Sequence, residues 1–186
     1  MRHVTDEGMA LIKHFEGFSA TPYLCPAGWW TIGWGAVRDG RGEPVTVATT
    51  PVAEDEAEAL LRRDVGLAER AVLRLIEVPL ADGPFDALVS FTFNLGAGTL
   101  QRSTLRRRIN RREHAAVPAE FSRWVWGGGR RLPGLVKRRE AEARLYEIQA
   151  QLSSGDSAHI PIQVVDVPLS ENPTVHETAG GPFQRS

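Results

Sequence analysis

The sequence predicts an α+β protein that is mainly α-helical, with a small N-terminal sheet joined by a long helix to a helical C-terminal lobe. Two observations predict this class. Residues 21–48 mix glycine and proline with short runs of aromatic and β-branched side chains, which is typical of short strands. Residues 51–77 and 84–95 carry apolar side chains at a spacing of three or four, which is typical of helices.

The first helix is predicted between Thr5 and Gly17. Thr5 is a capping residue and two acidic side chains follow it, which suits a helix N-terminus. Apolar side chains then recur at a spacing of three, and glycine is a typical helix end. Glu16 therefore falls on the last turn of this helix.

The sheet is predicted from two short strands, at residues 29–32 and 45–47, with a turn at Asp39-Gly40 between them. Such a sheet is not stable alone, so we expect it to pack on helices. Five further helices follow. The first begins at Thr50-Pro51 and ends near Glu77, and the others begin at Pro84, at Ser103, near residue 115 and at Pro133, with Leu135, Leu145 and Ile148 as core candidates of the last.

The helical pattern ends near residue 152. The last 34 residues contain four prolines and show no sustained periodicity. We therefore predict one domain at 1–152 and a disordered tail at 153–186.

Composition limits the cellular setting. No apolar run approaches the roughly 20 residues that a membrane helix needs, and the N-terminal residues do not resemble a secretory signal. The single cysteine, Cys25, agrees with a reducing compartment. We therefore expect a cytoplasmic start and no stable membrane insertion. Residues 101–144 hold 13 basic and 4 acidic side chains, which indicates either a solvated helix face or an anionic partner.

Glu16 is the first candidate for chemistry. It lies at the negative end of a helix dipole, between Phe15 and Phe18. The helix dipole and the two apolar neighbours both destabilise the charged form of Glu16, and both therefore raise its pKa. A carboxylic acid that keeps its proton near neutral pH is what general acid catalysis of glycoside cleavage needs. The alternative is an ordinary surface glutamate that precedes a glycine.

The residues after Glu16 resemble the catalytic signature of the phage-type lysozymes, glycoside hydrolase family 24. Cys25 stands nine positions after Glu16, Thr31 stands six further on, and a Thr-Ile-Gly-Trp-Gly stretch ends at Gly35. Tyr23 matches an aromatic position of that family. The resemblance implies a lysozyme-like fold with a cleft between its two lobes, and it makes Tyr23 and Gly35 substrate-binding candidates.

Later blocks of the sequence resemble the same family in the same order. Residues 87–96 are similar to its buried central helix, which implies that Phe93 and Asn94 face the cleft and bind substrate. Residues 124–140 are similar to its glycine-rich turn and arginine helix. Arg138 and Arg139 are therefore candidates to pair with Glu16, unless they are surface charges. The resemblance covers about residues 3–150 of the chain.

The resemblance implies a muramidase, which hydrolyses the β-1,4 bond between N-acetylmuramic acid and N-acetylglucosamine in bacterial peptidoglycan. Glu16 would be the general acid, Thr31 would position water, and Cys25 would replace the second catalytic carboxylate. A thiol acts like a carboxylate only when ionised, and a free thiol ionises near pH 8.5. Two alternatives stay open for Cys25, namely a covalent thioglycoside route and a packing role.

The resemblance also implies an endolysin that waits in the host cytoplasm, as a monomer, until a holin releases it to the glycan strands of the cell wall. No cofactor is expected, and the scattered histidines with one cysteine do not suggest a metal site. Three rival interpretations remain. They are a lytic transglycosylase, a wall-binding module without activity, and a nucleic-acid-binding protein that uses the arginines of residues 102–112, for which no recognised motif exists.

Overall fold

The computed structural model describes residues 2–25 and 27–153, with residues 149–153 described by their backbone alone. These residues form seven α-helices, a short 3-10 helix and two two-stranded antiparallel sheets, so the predicted α+β, mainly α, class is confirmed. The predicted tail at 153–186 lies outside the described residues except for Ser153. The elements are α1 (Asp6–Glu16), β1 (Ser19–Leu24), β2 (Trp30–Gly33), α2 (Glu54–Leu75), α3 (Asp82–Leu95), α4 (Ala97–Arg102), α5 (Thr104–Asn110), the 3-10 helix (His114–Ala116), α6 (Val117–Phe121), β3 (Trp126–Gly127), β4 (Arg130–Arg131) and α7 (Pro133–Ser153).

Helix α1 has the predicted ends. The Thr5 hydroxyl accepts a hydrogen bond of 3.2 Å from the Gly8 N–H, and Gly17 follows the last turn with a φ of 68°. The carboxylate of Asp86, on α3, accepts hydrogen bonds from the N–H and the hydroxyl of Thr5. The start of α1 is therefore fixed to the central helix, which sets where its last residue, Glu16, lies.

The first sheet pairs β2 with β1, and the prediction of a strand at 45–47 is wrong. β1 contains Pro22, which lacks an N–H and is tolerated at a free sheet edge. Residues 45–47 follow an isolated bridge between Arg38 and Pro44. No strand forms there, because the N–H and the carbonyl of Thr46 are both bonded to Thr49 within a local turn rather than to a neighbouring strand. The predicted turn at Asp39 is present, because its carboxylate accepts hydrogen bonds from two N–H groups of the loop. The paired residues of the sheet are Ser19 with Gly33, Tyr23 with Thr31, and Leu24 with Trp30.

The long helix α2 begins later than predicted. Glu54 is its first residue rather than Pro51, since the Glu56 carboxylate accepts a hydrogen bond of 3.2 Å from the Ala53 N–H and caps the helix there. The helix ends at Leu75, close to the predicted end. The predicted inward positions are all buried, namely Ala57, Leu61, Val65, Ala68 and Val72.

Helix α3 is the centre of the helical lobe, as its apolar sequence predicts. Eleven of its residues are buried, and it packs against α1, α2 and α7. Complete burial of one large aliphatic or aromatic side chain contributes about 1.5–3 kcal/mol, so α3 supplies much of the stability of this lobe.

The later helices agree with the sequence in part. The Ser103 hydroxyl caps α5 by accepting a hydrogen bond of 3.0 Å from the Arg106 N–H, and Pro133 opens α7, as predicted. Of the predicted core residues of α7, Leu145 is buried as expected and Leu135 is half-buried. Ile148 is 60% exposed, so its assignment to the core is wrong, and Tyr146 is buried instead. Within the described residues, no helix is long and apolar enough to cross a membrane.

Candidate active site

The Glu16 side chain is buried where α1 meets α7. It is the last residue of α1, and its side chain is only 7% exposed. Arg138 of α7 donates a hydrogen bond of 2.6 Å from Nη1 to Glu16 Oε1. The sequence-based pairing of Arg138 with Glu16 is therefore present, although 122 residues separate the two in the chain.

Burial raises the pKa of Glu16 above its ordinary value, and it is the largest influence on that carboxyl. The positive charge and hydrogen bond of Arg138 act in the opposite direction, and the charge of Arg139 adds to that. The negative charge of Glu142 raises the pKa further. The net direction agrees with the sequence-based expectation, and the dominant cause is removal from water.

Arg138 connects Glu16 to the central helix. Its Nε donates to Glu142 Oε1 at 3.2 Å, and its Nη2 donates to the Ser90 carbonyl at 3.2 Å and to the Ser90 hydroxyl at 3.3 Å. The Ser90 hydroxyl in turn donates to Glu142 Oε1 at 2.7 Å. All five donor positions of a guanidinium point in fixed directions, so this network holds the Glu16 carboxyl in one orientation.

Arg139 extends the network to Asn94. Arg139 Nη2 donates to Asn94 Oδ1, and Nη1 lies 2.9 Å from Glu142 Oε2 in an ion pair. Burial lowers the pKa of Arg139 to about 10, and the neighbouring Arg138 acts in the same direction. The buried cluster thus contains two guanidinium groups and two carboxyl groups, so it is neutral when Glu16 is ionised and carries one positive charge when Glu16 is protonated.

Two of these residues were missed by the sequence analysis. Ser90 is a polar position within an otherwise apolar helix, and Glu142 stands three and four residues after the two arginines. Spacings of three and four bring side chains together on one helix face. The spacing could therefore have predicted that Glu142 contacts the two arginines. For Ser90, the sequence offers no signal except its polarity.

The first sheet brings Tyr23 and Thr31 together. They lie opposite each other in the register, and the Thr31 hydroxyl donates to the Tyr23 carbonyl at 3.3 Å. Thr31 is buried and Tyr23 is half-buried. Burial raises the pKa of Tyr23, a hydrogen bond with the Thr31 side chain opposes this, and the charges of Glu16 and Cys25 raise it further. The hydroxyl of Tyr23 is thus within electrostatic range of both candidate catalytic groups.

Cys25 follows directly after β1 at the tip of the hairpin. Its N–H donates to the Trp29 carbonyl and its carbonyl accepts from the Gly28 N–H, both at 2.8 Å. The residue is 6% exposed and carries the one free thiol of the chain. The turn that follows is tight, with a φ of 82° at Gly28. These bonds fix the backbone of Cys25 relative to the strands that carry Tyr23 and Thr31.

Gly35 approaches the second oxygen of Glu16. Its φ is 85°, and a Cβ added to it would lie 3.5 Å from Glu16 Oε2. Of the remaining sequence-predicted residues, Asn94 belongs to the buried network and Phe93 packs half-buried against the core of the helical lobe. Phe93 has no polar group and takes no part in the network.

The arrangement combines a buried carboxyl of raised pKa, a hydroxyl and a thiol along one hairpin, and a glycine that leaves space beside the carboxyl. A protonated carboxyl can donate to a leaving oxygen, and a hydroxyl can orient water. Among the described residues, no group of three or more histidine, cysteine, aspartate or glutamate side chains is placed to hold a metal ion.

Comparison with known proteins gives consistent matches. The family model described as "Phage lysozyme" matches residues 13–142. An endolysin of Acyrthosiphon pisum secondary endosymbiont phage 1 is 36% identical over 150 residues, which are 78% of this chain and 98% of that protein. The solved endolysin from Escherichia coli O157:H7 phage FAHEc1 is 33% identical with a TM-score of 0.73, over 80% of this chain and 95% of that one. The muramidase domain of SpmX from Asticaccaulis excentricus is 32% identical with a TM-score of 0.68, over 79% of this chain and 99% of that domain.

Proposed function

The chain belongs to the phage lysozyme family and is a glycoside hydrolase of the endolysin type, and from this premise we propose that it hydrolyses the β-1,4 bond between N-acetylmuramic acid and N-acetylglucosamine with Glu16 as its general acid. The observation that carries the proposal is the buried Glu16 carboxyl, whose pKa is raised by burial while Arg138 fixes its orientation. A structural relative described as a muramidase domain supports the choice of bond.

The proton leaves from one particular oxygen of Glu16. Oε1 accepts the hydrogen bond from Arg138, and a protonated oxygen would repel that donor. Oε2 lies on the side of Gly35, where the missing side chain leaves space for the sugar. We therefore assign the acidic proton to Oε2, which donates it to the departing glycosidic oxygen as the bond breaks.

Thr31 positions the water in this proposal. A hydroxyl has one proton to donate and two lone pairs to accept with. Thr31 gives its proton to the Tyr23 carbonyl, so its oxygen is left to accept a hydrogen bond from water. A water held in this way has a lone pair free to attack the anomeric carbon, and in the hydrolytic route its second proton passes to the thiolate of Cys25.

Cys25 occupies the position of the second carboxylate in the proposed mechanism. Support comes from the hairpin register, which fixes its backbone beside the strands of Tyr23 and Thr31. As a thiolate it would stabilise positive charge at the anomeric carbon or accept a proton from water. A covalent thioglycoside would instead give retention of configuration, so the stereochemical outcome depends on which of these roles it takes.

The setting of the reaction is part of the proposal. We propose that residues 1–152 are the catalytic domain, that the protein is a monomer acting on peptidoglycan strands, and that a holin releases it from the host cytoplasm to the wall. The substrate-binding residues of this proposal are Tyr23, Gly35, Phe93 and Asn94.

Digestion of purified peptidoglycan, followed by mass analysis of the fragments, tests the proposal. Hydrolysis adds one water for each bond cut and leaves reducing N-acetylmuramic acid ends. Fragments lighter by one water, with anhydro ends, would identify a lytic transglycosylase instead. Binding to the wall without any fragments would identify a binding module, and the Glu16→Gln variant serves as the inactive control.

A further inference from the structure

The register of the first hairpin continues past its two strands. Tyr23 lies opposite Thr31 and Leu24 opposite Trp30, and the Cys25 N–H donates to the Trp29 carbonyl at 2.8 Å. Cys25 and Trp29 are therefore the next pair. Because side chains alternate between the two faces of a strand, the Trp29 side chain shares a face with those of Cys25 and Thr31, whereas Leu24 lies on the other face.

Trp29 differs from its neighbours on that face by its exposure. Thr31 and Cys25 are buried, but Trp29 is 64% exposed. The adjacent Trp30, on the other face, is half-buried against a small apolar cluster, so of these two tryptophans only Trp29 is uncovered. The ring stands at a tip whose backbone is fixed by two hydrogen bonds of 2.8 Å. An exposed indole on the same face as the buried Cys25 and Thr31 therefore offers a flat apolar surface that a ligand in the candidate site could cover.

We propose that Trp29 forms a sugar-binding subsite at the tip of the hairpin, on which the apolar face of one pyranose ring of the glycan strand lies. The inference rests on the proposed function. Trp29 and Thr31 are two residues apart on one strand, which is a separation of roughly 7 Å. This is comparable with the length of one sugar ring, so the subsite would hold a sugar next to those at the cleaved bond. The indole offers a large, rigid apolar surface that loses little side-chain entropy on binding.

Steady-state kinetics on a length series of glycan oligomers prepared from peptidoglycan tests the subsite. We expect Trp29→Ala to raise KM about ten-fold for oligomers long enough to reach the tip, with kcat within about two-fold, because a buried tryptophan contact typically contributes at least that much to affinity. The shortest oligomers that the enzyme cleaves should show no change. Trp29→Phe should restore most of the affinity, and Trp29→Leu, which is apolar but has no flat ring, should not.

Leu24→Ala is the matched control, since Leu24 is 57% exposed on the opposite face of the same hairpin. Its KM should equal that of the wild type at every length. An unchanged KM in Trp29→Ala, or an equal rise in Leu24→Ala, would overturn the subsite while leaving the hydrolase intact. A wild-type protein that cleaves no oligomer would overturn the proposed function itself. Isothermal titration of the longest oligomer into the wild type and into Trp29→Ala would then test the subsite alone. Equal affinities of the two proteins would refute the subsite.

Discussion

Gly35 faces the one oxygen of Glu16 that Arg138 leaves unbound. Oε1 of Glu16 is held at 2.6 Å by the guanidinium, whereas Oε2 has the Cβ position of Gly35 at 3.5 Å. The two oxygens of a single carboxyl thus have different surroundings, a guanidinium at Oε1 and the open side of a glycine at Oε2.

Gly35→Ala should reduce activity about ten-fold or more, because the added methyl group would lie in contact with Oε2 and displace the sugar. Gly42→Ala is the matched control. Gly42 has the same φ of 85°, but no atom lies within 4 Å of its added Cβ. Both variants should lose similar stability through backbone strain. Equal activity per folded molecule in the two variants would contradict the role of the space at Gly35.

Glu16→Gln should lower the rate of wall clearing by at least about 100-fold, since glutamine keeps the size and the acceptor oxygen but has no acidic proton. The pH dependence of stability provides a second readout. Burial raises the pKa of Glu16 in the folded protein above its value in the unfolded chain, so this group stabilises the fold less as pH rises between those values. Urea titrations across that range should show a smaller decline for the variant. A variant with most of the wild-type rate would remove Glu16 from the mechanism.

Cys25→Asp should keep activity and Cys25→Ser should lose most of it, if the site requires negative charge at this position. Aspartate is ionised near neutral pH and a hydroxyl is not. The acidic limb of the rate profile should move to lower pH in Cys25→Asp, because a carboxylate forms at lower pH than a thiolate. If Cys25 has only a packing role, Cys25→Ser should be more active than Cys25→Asp, since serine would be tolerated and a buried aspartate would destabilise the fold. The measurement is the rate of each variant at equal folded concentration.

Arg138→Lys should shift the alkaline limb of activity to higher pH. The charge and hydrogen bond of Arg138 lower the pKa of Glu16, and a shorter ammonium group cannot reach Glu16, Ser90 and Glu142 together. A general acid with a higher pKa stays protonated to higher pH. The variant should also lose about 1.5–3 kcal/mol of stability, the value of one charged hydrogen bond. Arg144→Lys, at an exposed position of the same helix, is the control, and identical profiles for both variants would rule out this role of Arg138.

Truncation after Leu152 should leave the melting temperature and the rate of turbidity clearing nearly unchanged. The sequence beyond this point has no apolar periodicity with which to build a core. Thermal unfolding of the full-length and shortened chains is the appropriate comparison. A loss of several degrees would show that the tail packs on the helical lobe, and a loss of clearing alone would assign it to wall binding.

Helix ends and other features that depend on residues close together in the sequence could be predicted from it. Thr5 and Gly17 predicted the ends of α1, whereas Cys25 and Thr31 were singled out only by the resemblance of the segment after Glu16 to a family signature. The strand at 19–24 was not predicted, because Pro22 weakens the pattern and only the partner strand compensates for it. The helix after Thr50 begins late, because the Glu56 side chain caps it at Ala53.

The buried network was harder to predict, because its members come from three helices. Arg138 was a candidate partner of Glu16, but its links to Ser90 and Glu142 depend on how α3 packs against α7. Residue type alone does not distinguish an exposed arginine on a basic helix from a buried one. Asn94 was expected in the cleft, and its contact with Arg139 became visible only once the two helices were placed side by side.

The pairing of the first helix with the last has a consequence for synthesis. The ribosome makes Glu16 early, but Arg138 and Glu142 are added only when most of the domain has been translated. Until α7 docks, the Glu16 side chain lacks both its cover from water and its guanidinium partner. A nascent or prematurely terminated chain therefore has an ordinary, solvated glutamate at this position. The buried carboxyl of Glu16, with its bound guanidinium, therefore exists only once translation of the domain has been completed.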